Sequence, residues 1–181
     1  MGDTKEKILM TALQLFARNV YEAVSVRTIA EELGITKGAL YRHYKNKRDI
    51  FDSIVERMFQ IDAKRANDYQ MPAETYEVMP DSYQNTSLED IQTYTIEQLK
   101  FWTEDGFASR FRKMLNLEQY RSAEMAELYS QCIVAGPVDY MEDIFCELIK
   151  KGVLREENPR RLAVEYYAPL FLLILGVCET P

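Results

Sequence analysis

The sequence predicts an all-α protein, and three observations lead to this prediction. Apolar residues recur at helical spacing through most of the 181 residues. No segment of useful length alternates between apolar and polar residues, as a half-buried strand would. Hydrophobic residues make up 47% of the chain, and only 7 glycines and 6 prolines interrupt it. A chain of this length and composition can bury a helical core.

The first three helices are predicted from apolar spacing and end signals. The first extends to about Arg18. Ser25 is the expected N-cap of a short second helix, which ends at Gly34 because glycine tolerates the left-handed backbone of a helix C-terminus. Thr36 can cap a third helix of about two turns, Lys37–Tyr44. The second helix, the tight turn and the third helix form the outline of a helix-turn-helix.

The remaining helices are predicted in the same way. Residues 67–87 are polar and contain two prolines, which predicts a connection or a short, poorly defined helix. Gly136-Pro137 favours a helix start, Gly152 a helix stop, and Asn158-Pro159 the start of the last helix. The predicted helices are 47–67, 87–102, 107–117, 124–134, 137–151 and a final one from 159 to about 178.

Charge is distributed unevenly along the chain, whose overall net charge is −7. Residues 1–66 hold 12 basic and 9 acidic residues, a net charge of +3, whereas the remainder holds 10 and 20, a net charge of −10. Five basic residues and no acidic residue lie within Thr36–Arg48. A solvated helix face usually mixes both signs. This asymmetry therefore indicates a basic contact module attached to an acidic body.

The stretch Thr28–Arg48 combines helix-packing residues with this basic surface. The apolar residues expected to hold its two helices together are Ile29, Ala30, Leu33, Ile35 and Leu40. The residues at the N-terminal end of the third helix, where base edges are read, are small or polar: Thr36, Lys37, Gly38 and Ala39. The flanking residues able to bind phosphates are Tyr41, His43 and Lys47. The pattern predicts a DNA-binding module.

The same stretch resembles the N-terminal part of the TetR family of bacterial regulators. The resemblance covers about residues 5–60 and rests on a joint motif, since no single residue of it would be specific. The matching residues are Leu15-Phe16, Ser25-Val26, Ile29-Ala30, Gly34-Ile35-Thr36, Gly38, Leu40-Tyr41, His43-Tyr44, Lys47 and Ile50. Val20 stands where the family usually has glycine, so we expect Asn19 to take the positive-φ position of that turn.

The resemblance implies DNA contacts for nine residues. The implied phosphate contacts are Arg27, Tyr41, His43 and Lys47. The implied groove-reading positions are Thr36, Lys37, Gly38, Ala39 and Arg42. Of these, Lys37 and Arg42 are expected to hydrogen-bond guanine through O6 and N7. Tyr41 could equally be a packing residue with an exposed hydroxyl.

The chemistry-bearing residues speak against an enzyme. His43 is the sole histidine, which removes a Ser-His-Asp triad and a histidine-based zinc site. Cys132, Cys146 and Cys178 are too few and too far apart for a zinc cage, so small buried thiols in a reducing cytoplasm are the simpler interpretation. The chain has neither a glycine-rich phosphate loop nor a nucleophile elbow. We therefore expect no catalytic residue, no metal and no cofactor.

The acidic remainder is expected to bind a small-molecule effector and to form a homodimer. The resemblance implies a ligand pocket there and a dimer through the last two long helices. Residues 166–178 carry no charge and are too few to span a bilayer, so they must bury against protein. They could do so within one subunit, but we favour a shared four-helix interface. Candidate ligand-binding residues are Trp102 and Tyr120, each with a polar handle, and Phe59 on the connecting helix.

These observations define three regions: a helix-turn-helix DNA-binding domain at 1–48, a connecting helix at 49–66, and a ligand-binding and dimerisation domain at 67–181. We expect a cytoplasmic, ligand-responsive regulator, with repression as its mode, which binds a palindromic operator on double-stranded DNA as a dimer. Because residues 1–6 are charged, we expect them to form neither a signal peptide nor a membrane anchor. The alternative is an architectural DNA-binding protein without an effector, against which the acidic body argues. The acid-free basic run argues against a purely helical interaction protein.

Overall fold

The computed structural model describes residues 2–176, with side chains from Thr4 onward, and every regular element in this part is helical. The helices are α1 (Gly2–Arg18), α2 (Val26–Glu32), α3 (Lys37–Tyr41), α4 (Lys47–Asp68), α5 (Pro80–Asn85), α6 (Leu88–Glu104), α7 (Gly106–Glu118), α8 (Ala123–Tyr129), α9 (Ala135–Lys150) and α10 (Pro159–Gly176), with a 3₁₀ turn at Tyr21–Ala23 and a π-helical turn at Ser130–Val134. The predicted all-α fold is confirmed. Cys178 and the predicted end of the last helix lie outside the described residues.

The chain folds into two compact units that do not follow its linear order. The first unit contains residues up to Gln60 together with Asp105–Ala126. In it, α1 packs along α7 and against α2, and α2 packs against α3. Its fully buried side chains include Ile8, Leu13, Phe16, Ile54, Phe111 and Leu115. Removing each such side chain from water stabilises the fold by about 1.5–3 kcal/mol. Helix α7 is therefore part of the core of the unit that carries the helix-turn-helix.

The second unit contains Ile61–Glu104 and the residues from Glu127 onward. In it, α9 packs against α10 and α5, and α10 also packs against α6. Its core consists of Ala66, Met71, Tyr83, Ile91, Tyr94, Val138, Met141, Ile144, Phe145, Leu148 and Ala163. Tyrosines are prominent at its border, where Tyr140 donates a hydrogen bond to the Pro72 carbonyl at 2.8 Å. The unit thus mixes an apolar core with polar aromatic side chains.

The predicted helix end at Gly152 and the predicted start at Asn158 are confirmed. Gly152 has a φ of +71°, and the Val153 N–H donates to the Leu148 carbonyl at 3.0 Å, which is the pattern of a Schellman motif. The Asn158 side chain accepts from the Arg161 N–H at 2.8 Å, as an N-cap does. Helix α10 continues through Pro169.

The helix start predicted at Gly136-Pro137 agrees with α9, which begins at Ala135. The gap expected between this helix and the preceding one is absent, because α8 passes through a π-helical turn directly into α9. The Ala135 N–H donates to the Ser130 carbonyl, five residues earlier. In an α-helix the Ile133 carbonyl would accept from residue 137, but proline has no N–H. The Tyr167 hydroxyl donates to that carbonyl at 2.7 Å instead. A side chain from α10 therefore satisfies the acceptor that the proline leaves open.

The prediction that Asn19 takes a positive φ is also wrong. Among the described residues, the positive-φ residues are Gln70, Gly34 and Gly152. The backbone N–H of Asn19 donates to the Leu15 carbonyl at 2.9 Å, and its side-chain amide donates to the same carbonyl. Val20 is then extended (φ −60°, ψ 144°) and leads into the 3₁₀ turn. The chain leaves α1 without needing a left-handed residue.

Candidate nucleic-acid interface

The turn between α2 and α3 is built as its sequence predicts. Ser25 caps α2 by accepting from the Thr28 N–H at 3.0 Å. Gly34 has a φ of +65°, and the Ile35 N–H donates to the Ala30 carbonyl at 3.0 Å in a second Schellman motif. A Cβ at this glycine would meet nothing within 4 Å, so the backbone angle alone requires the glycine.

Helix α3 begins at the predicted cap but ends earlier than predicted. The Thr36 hydroxyl accepts from the Ala39 N–H at 3.1 Å. The helix stops at Tyr41 rather than Tyr44, since the His43 N–H bonds to the Leu40 carbonyl three residues back and tightens the last turn. Tyr44 itself turns into the core and is buried. The helix-turn-helix is therefore closed by a buried aromatic anchor directly after α3.

The two helices are held together by small and branched apolar side chains. Ile29, Ala30 and Leu40 are buried, while Leu33 and Ile35 are partly exposed at the edge of the contact. An alanine at position 30 permits α2 and α3 to approach closely. This packing fixes the direction in which the outer face of α3 points within the first unit.

The predicted groove-reading residues share one exposed surface. Thr36, Lys37, Gly38 and Arg42 are exposed, and Ala39 is partly exposed. The Lys37 ammonium lies 5.5 Å from the centre of the Tyr41 ring. Within residues 4–176, no acidic side chain lies within ion-pair distance of Lys37 or Arg42. The surface therefore presents positive charge that no acidic side chain of the described residues neutralises.

The predicted phosphate contacts differ in how firmly they are held. Arg27 is exposed and forms an ion pair with Glu31 at 2.7 Å. Tyr41 is exposed and His43 is partly exposed. The Lys47 ammonium donates to the Tyr21 carbonyl at 2.8 Å and lies 3.9 Å from the centre of the Tyr21 ring. Lys47 is thus the phosphate-binding candidate with the most defined position.

Lys47 also opens a well-capped helix. Asn46 accepts from the Asp49 N–H at 2.8 Å, while Asp49 accepts from the Lys45 N–H at 2.8 Å, which forms a reciprocal capping arrangement. The 22-residue helix α4 therefore starts sharply beside α3. Its N-terminal backbone amides and the Lys47 ammonium lie close in the sequence, and both attract anions.

Nothing in the sequence pointed to Tyr21, Glu118 and Glu124 as neighbours of this surface. The Glu118 carboxylate, on the last residue of α7, accepts from the Tyr21 N–H at 2.7 Å. Arg48 bonds to Asp52 at 2.6 Å and to the Glu124 carboxylate, and this bond to Arg48 lowers the pKa of Glu124. Burial raises the pKa of the Tyr21 hydroxyl. The corner between α7 and α8 therefore contacts the residues that flank Lys47.

The predicted ligand-binding residues occupy three different surroundings. Phe59 is exposed at the end of the first unit. Trp102 is partly buried in the second unit, where its ring packs edge-on against Phe101 at 5.5 Å. Tyr120 belongs to the first unit and is 90% exposed. Their role in binding an effector stays a prediction.

A polar network that the sequence analysis did not single out lies inside the second unit. Gln98 donates to the Tyr94 hydroxyl at 2.6 Å and to the Asp62 carboxylate at 3.3 Å. Its carbonyl accepts from Arg65 at 3.2 Å. Burial raises the pKa of both Asp62 and Tyr94. The Arg65 guanidinium lies 4.2 Å from the Phe101 ring, and its buried Nε has no hydrogen-bond acceptor.

Two other kinds of site are absent from the described part of the chain. Histidine, cysteine, aspartate and glutamate form no cluster of three or more there that would hold a metal ion. No helix among the described residues combines the length and apolar character needed to cross a membrane.

Comparison with known proteins gives similarities of two kinds. A family model described as bacterial regulatory proteins, tetR family, matches residues 8–54. The chain is 41% identical over 56 residues to the uncharacterized HTH-type transcriptional regulator YerO of Bacillus subtilis, covering 31% of this chain and 19% of YerO. It is 40% identical over 57 residues to the class C tetracycline repressor of Escherichia coli, covering 32% of this chain and 26% of that protein. The match thus spans about a fifth to a quarter of these relatives.

Solved structures resemble the chain over nearly its whole length. A SmeT–triclosan complex matches with a TM-score of 0.67 at 22% identity, covering 96% of this chain and 79% of that one. AibR in complex with isovaleryl coenzyme A and operator DNA matches with a TM-score of 0.63 at 19% identity, covering 97% and 87%. At these identities the likeness shows the fold: a helix-turn-helix followed by a helical bundle.

Proposed function

Since the chain belongs to the TetR family of bacterial regulatory proteins, a family of transcriptional regulators rather than enzymes, we propose that it is a transcriptional repressor released from DNA by a small-molecule effector. It binds a palindromic operator on double-stranded DNA as a homodimer. The observation that carries this proposal is the exposed basic surface formed by Lys37 and Arg42 on the helix-turn-helix, which no acidic side chain of the described residues neutralises. The similar fold of AibR, which was solved with operator DNA, supports it.

The residues of the surface divide into two roles. Lys37 and Arg42 reach guanine O6 and N7 in the major groove, while Thr36, Gly38 and Ala39 are small enough for α3 to approach the bases. The residues that contact phosphates are Arg27, Tyr41, His43 and Lys47. For Arg27 this requires exchanging the Glu31 carboxylate for a phosphate, whereas Lys47 keeps its protein contacts and still has donors to offer.

Substitution of the two lysines separates these roles. Lys47→Ala is expected to weaken binding to every sequence and to lower the slope of log K against log salt by about one, as loss of one phosphate contact does. Lys37→Ala is expected to relax the preference at one base position and to cost about 1–3 kcal/mol on the best site. Titration of operator and scrambled duplexes over a range of salt concentrations measures both effects.

A lysine outside the surface provides the control. Lys64 is exposed on α4 in the second unit, where it pairs with Asp68. Lys64→Ala should leave both the affinity and the salt slope unchanged. Equal, sequence-independent losses for Lys37→Ala and Lys47→Ala would show that the division of roles is wrong.

An exposed apolar stripe on α10 supports the homodimer. Leu172 and Leu173 are 71% and 53% exposed, and Val164, Ala168 and Pro169 are exposed on the same helix. On α9 the exposed side chains include Asp139 and Asp143 instead. The apolar contact between subunits is therefore expected to come mainly from α10, with α9 supplying polar groups at the rim.

The polar network of the second unit supports an effector site. Arg65 offers a buried donor without an acceptor, and Gln98 and Tyr94 present further hydrogen-bonding groups beside aromatic rings. A ligand with a planar apolar body and an oxygen acceptor would supply what Arg65 lacks. The triclosan bound in the similarly folded SmeT is consistent with a small organic effector here.

Replacing Gln98 tests the effector site. A compound that raises the melting temperature of the wild type and lowers its DNA affinity is expected to bind Gln98→Ala at least about tenfold more weakly, since a polar group buried against it is left unpaired. Gln92→Ala, at an exposed position of the same helix, is the matched control. Thermal shift and DNA titration with the same compound provide the measurements. Equal affinity of the compound for both variants would place its site elsewhere.

The alternative function is DNA binding without an effector. It predicts that no compound changes DNA affinity, whatever its effect on melting temperature. The net charge of −10 after residue 66 disfavours it, because an architectural protein needs basic charge along its length.

A further inference from the structure

A chain of contacts fixes the Lys47 side chain before DNA arrives. Its ammonium donates to the Tyr21 carbonyl, faces the Tyr21 ring, and lies 3.9 Å from the Glu22 carboxylate. Only 21% of the Lys47 side chain is exposed. A lysine side chain carries about 2 kcal/mol of rotamer entropy, much of which is lost when it must order against a phosphate. Here most of that ordering is done in the folded protein.

Tyr21 is in turn held from both sides. Its ring packs against Phe16 at 5.1 Å and Phe51 at 5.4 Å. Its backbone N–H donates to the Glu118 carboxylate at 2.7 Å, across 97 residues of sequence. Glu118 is 3% exposed. Hydrogen bonds between a backbone N–H and an ionised carboxylate are among the stronger ones in proteins. The 3₁₀ turn that presents the Tyr21 carbonyl is therefore anchored by the last residue of α7.

We propose that Glu118 is a positioning residue for DNA binding, which holds the Tyr21 turn so that the Lys47 ammonium is presented to a phosphate. The inference rests on the proposed function, since it assigns Lys47 to a phosphate. It makes α7, which follows Glu104 in the sequence, a determinant of DNA affinity although it bears none of the predicted DNA contacts. The neighbouring contact of Arg48 with Glu124 joins the α7–α8 corner to α4 at the same place.

The first test measures Lys47 without DNA. Lysines are acetylated under limiting reagent and read out by mass spectrometry, with the exposed Lys45 as the internal reference. Lys47 in the wild type is expected to react about fivefold more slowly than Lys45, as one net hydrogen bond implies. Glu118→Ala should remove this protection, whereas Glu118→Gln, which keeps an acceptor oxygen, should retain it.

The second test measures DNA binding with a mixed-sequence 40-base-pair duplex over a salt series. Glu118→Ala is expected to bind about threefold to tenfold more weakly at moderate salt, with a salt slope lower by about one. Glu118→Gln should behave as the wild type does. On a Lys47→Ala background, Glu118→Ala should cause no further loss of slope. A purely structural role would instead lower the melting temperature, add to the effect of Lys47→Ala and leave the slope unchanged.

The outcomes distinguish failure of the positioning role of Glu118 from failure of the proposed function. If Glu118→Ala does not fold, Glu118→Asp, which withdraws the carboxylate by one methylene, replaces it in both tests. A folded variant in which Lys47 stays protected overturns the positioning role. Loss of protection without a change in salt slope overturns its link to DNA. If the wild type bound no duplex, the proposed function would fail, while the acetylation comparison would still decide whether Glu118 fixes Lys47.

Discussion

Replacing Leu172 with glutamate is expected to convert the proposed homodimer into a monomer and to weaken binding to the proposed operator by about 10²–10⁴-fold. Leu172 is the most exposed large hydrophobic residue on α10. A carboxylate there would be buried against the apolar stripe of the partner without a compensating cation, which costs several kcal/mol. A monomer engages one half-site, so it loses the gain that comes from linking two binding events.

Sedimentation velocity and titration of a palindromic operator measure the two effects on the same preparation. Val78→Glu is the matched control, because Val78 is 66% exposed and lies in the loop before α5 rather than on α10. It should remain dimeric and bind DNA as the wild type does. A Leu172→Glu protein that stays dimeric at micromolar concentration would show that α10 does not form the interface.

The helix-turn-helix was predictable because each of its features depends on local chemistry. Ser25 and Thr36 cap their helices through backbone amides three residues later, and Gly34 supplies a positive φ where the chain turns. Such interactions are encoded within a few residues, so spacing and residue type suffice to predict them. The same holds for Gly152 and Asn158 in the second unit.

The surroundings of the candidate DNA-binding surface were not predictable in this way. Glu118 meets Tyr21 and Glu124 meets Arg48 only because α7 packs along α1. An acidic residue at a helix end has many possible partners. The residues next to it in the sequence do not indicate a partner 97 residues away. Long-range packing of this kind leaves no periodic or compositional signal in a single sequence.

The burial of the candidate effector residues was not predictable from their residue type. Trp102 and Tyr120 each have an aromatic ring that carries a polar group. Trp102 is partly buried, whereas Tyr120 is 90% exposed. Residue type alone does not set burial. The Gln98 network was not predictable, because glutamine, aspartate and arginine on helices are usually solvated. Only the hydrogen bonds that join α4 to α6 reveal that these side chains meet.

The π-helical turn before α9 was not predictable from the glycine and proline that usually mark helix ends. Gly136 and Pro137 are common at helix boundaries, which favoured a break there. The structure instead widens the helix by one residue per turn at Ser130–Val134, and the Tyr167 hydroxyl bonds to the Ile133 carbonyl. This turn places the Gln131 carbonyl where a Cβ of residue 136 would lie.

Replacing Gly136 with alanine is therefore expected to destabilise the protein, although glycine-to-alanine changes within helices usually stabilise by up to about 1 kcal/mol. A Cβ at this position would lie 1.9 Å from the Gln131 carbonyl oxygen and 2.9 Å from its carbon. Both atoms are backbone, so the π turn itself must move. Forcing a group into a closed site of this kind costs about 2–3 kcal/mol. For a chain of this size the melting temperature should fall by about 5–10 °C.

Gly106→Ala is the matched control for this substitution, since a Cβ there would meet only the flexible end of the Arg110 side chain, at 3.2 Å. Its melting temperature should stay within about 2 °C of the wild type, as for a surface substitution. Thermal unfolding followed by circular dichroism at 222 nm measures both variants. The helix content of Gly136→Ala should be preserved at low temperature, because the strain can be relieved by shifting one turn. A melting temperature equal to or above the wild-type value would show that residues 130–136 relax to an ordinary α-helix at no cost, and that the π turn is not required by the packing of α9 against α10.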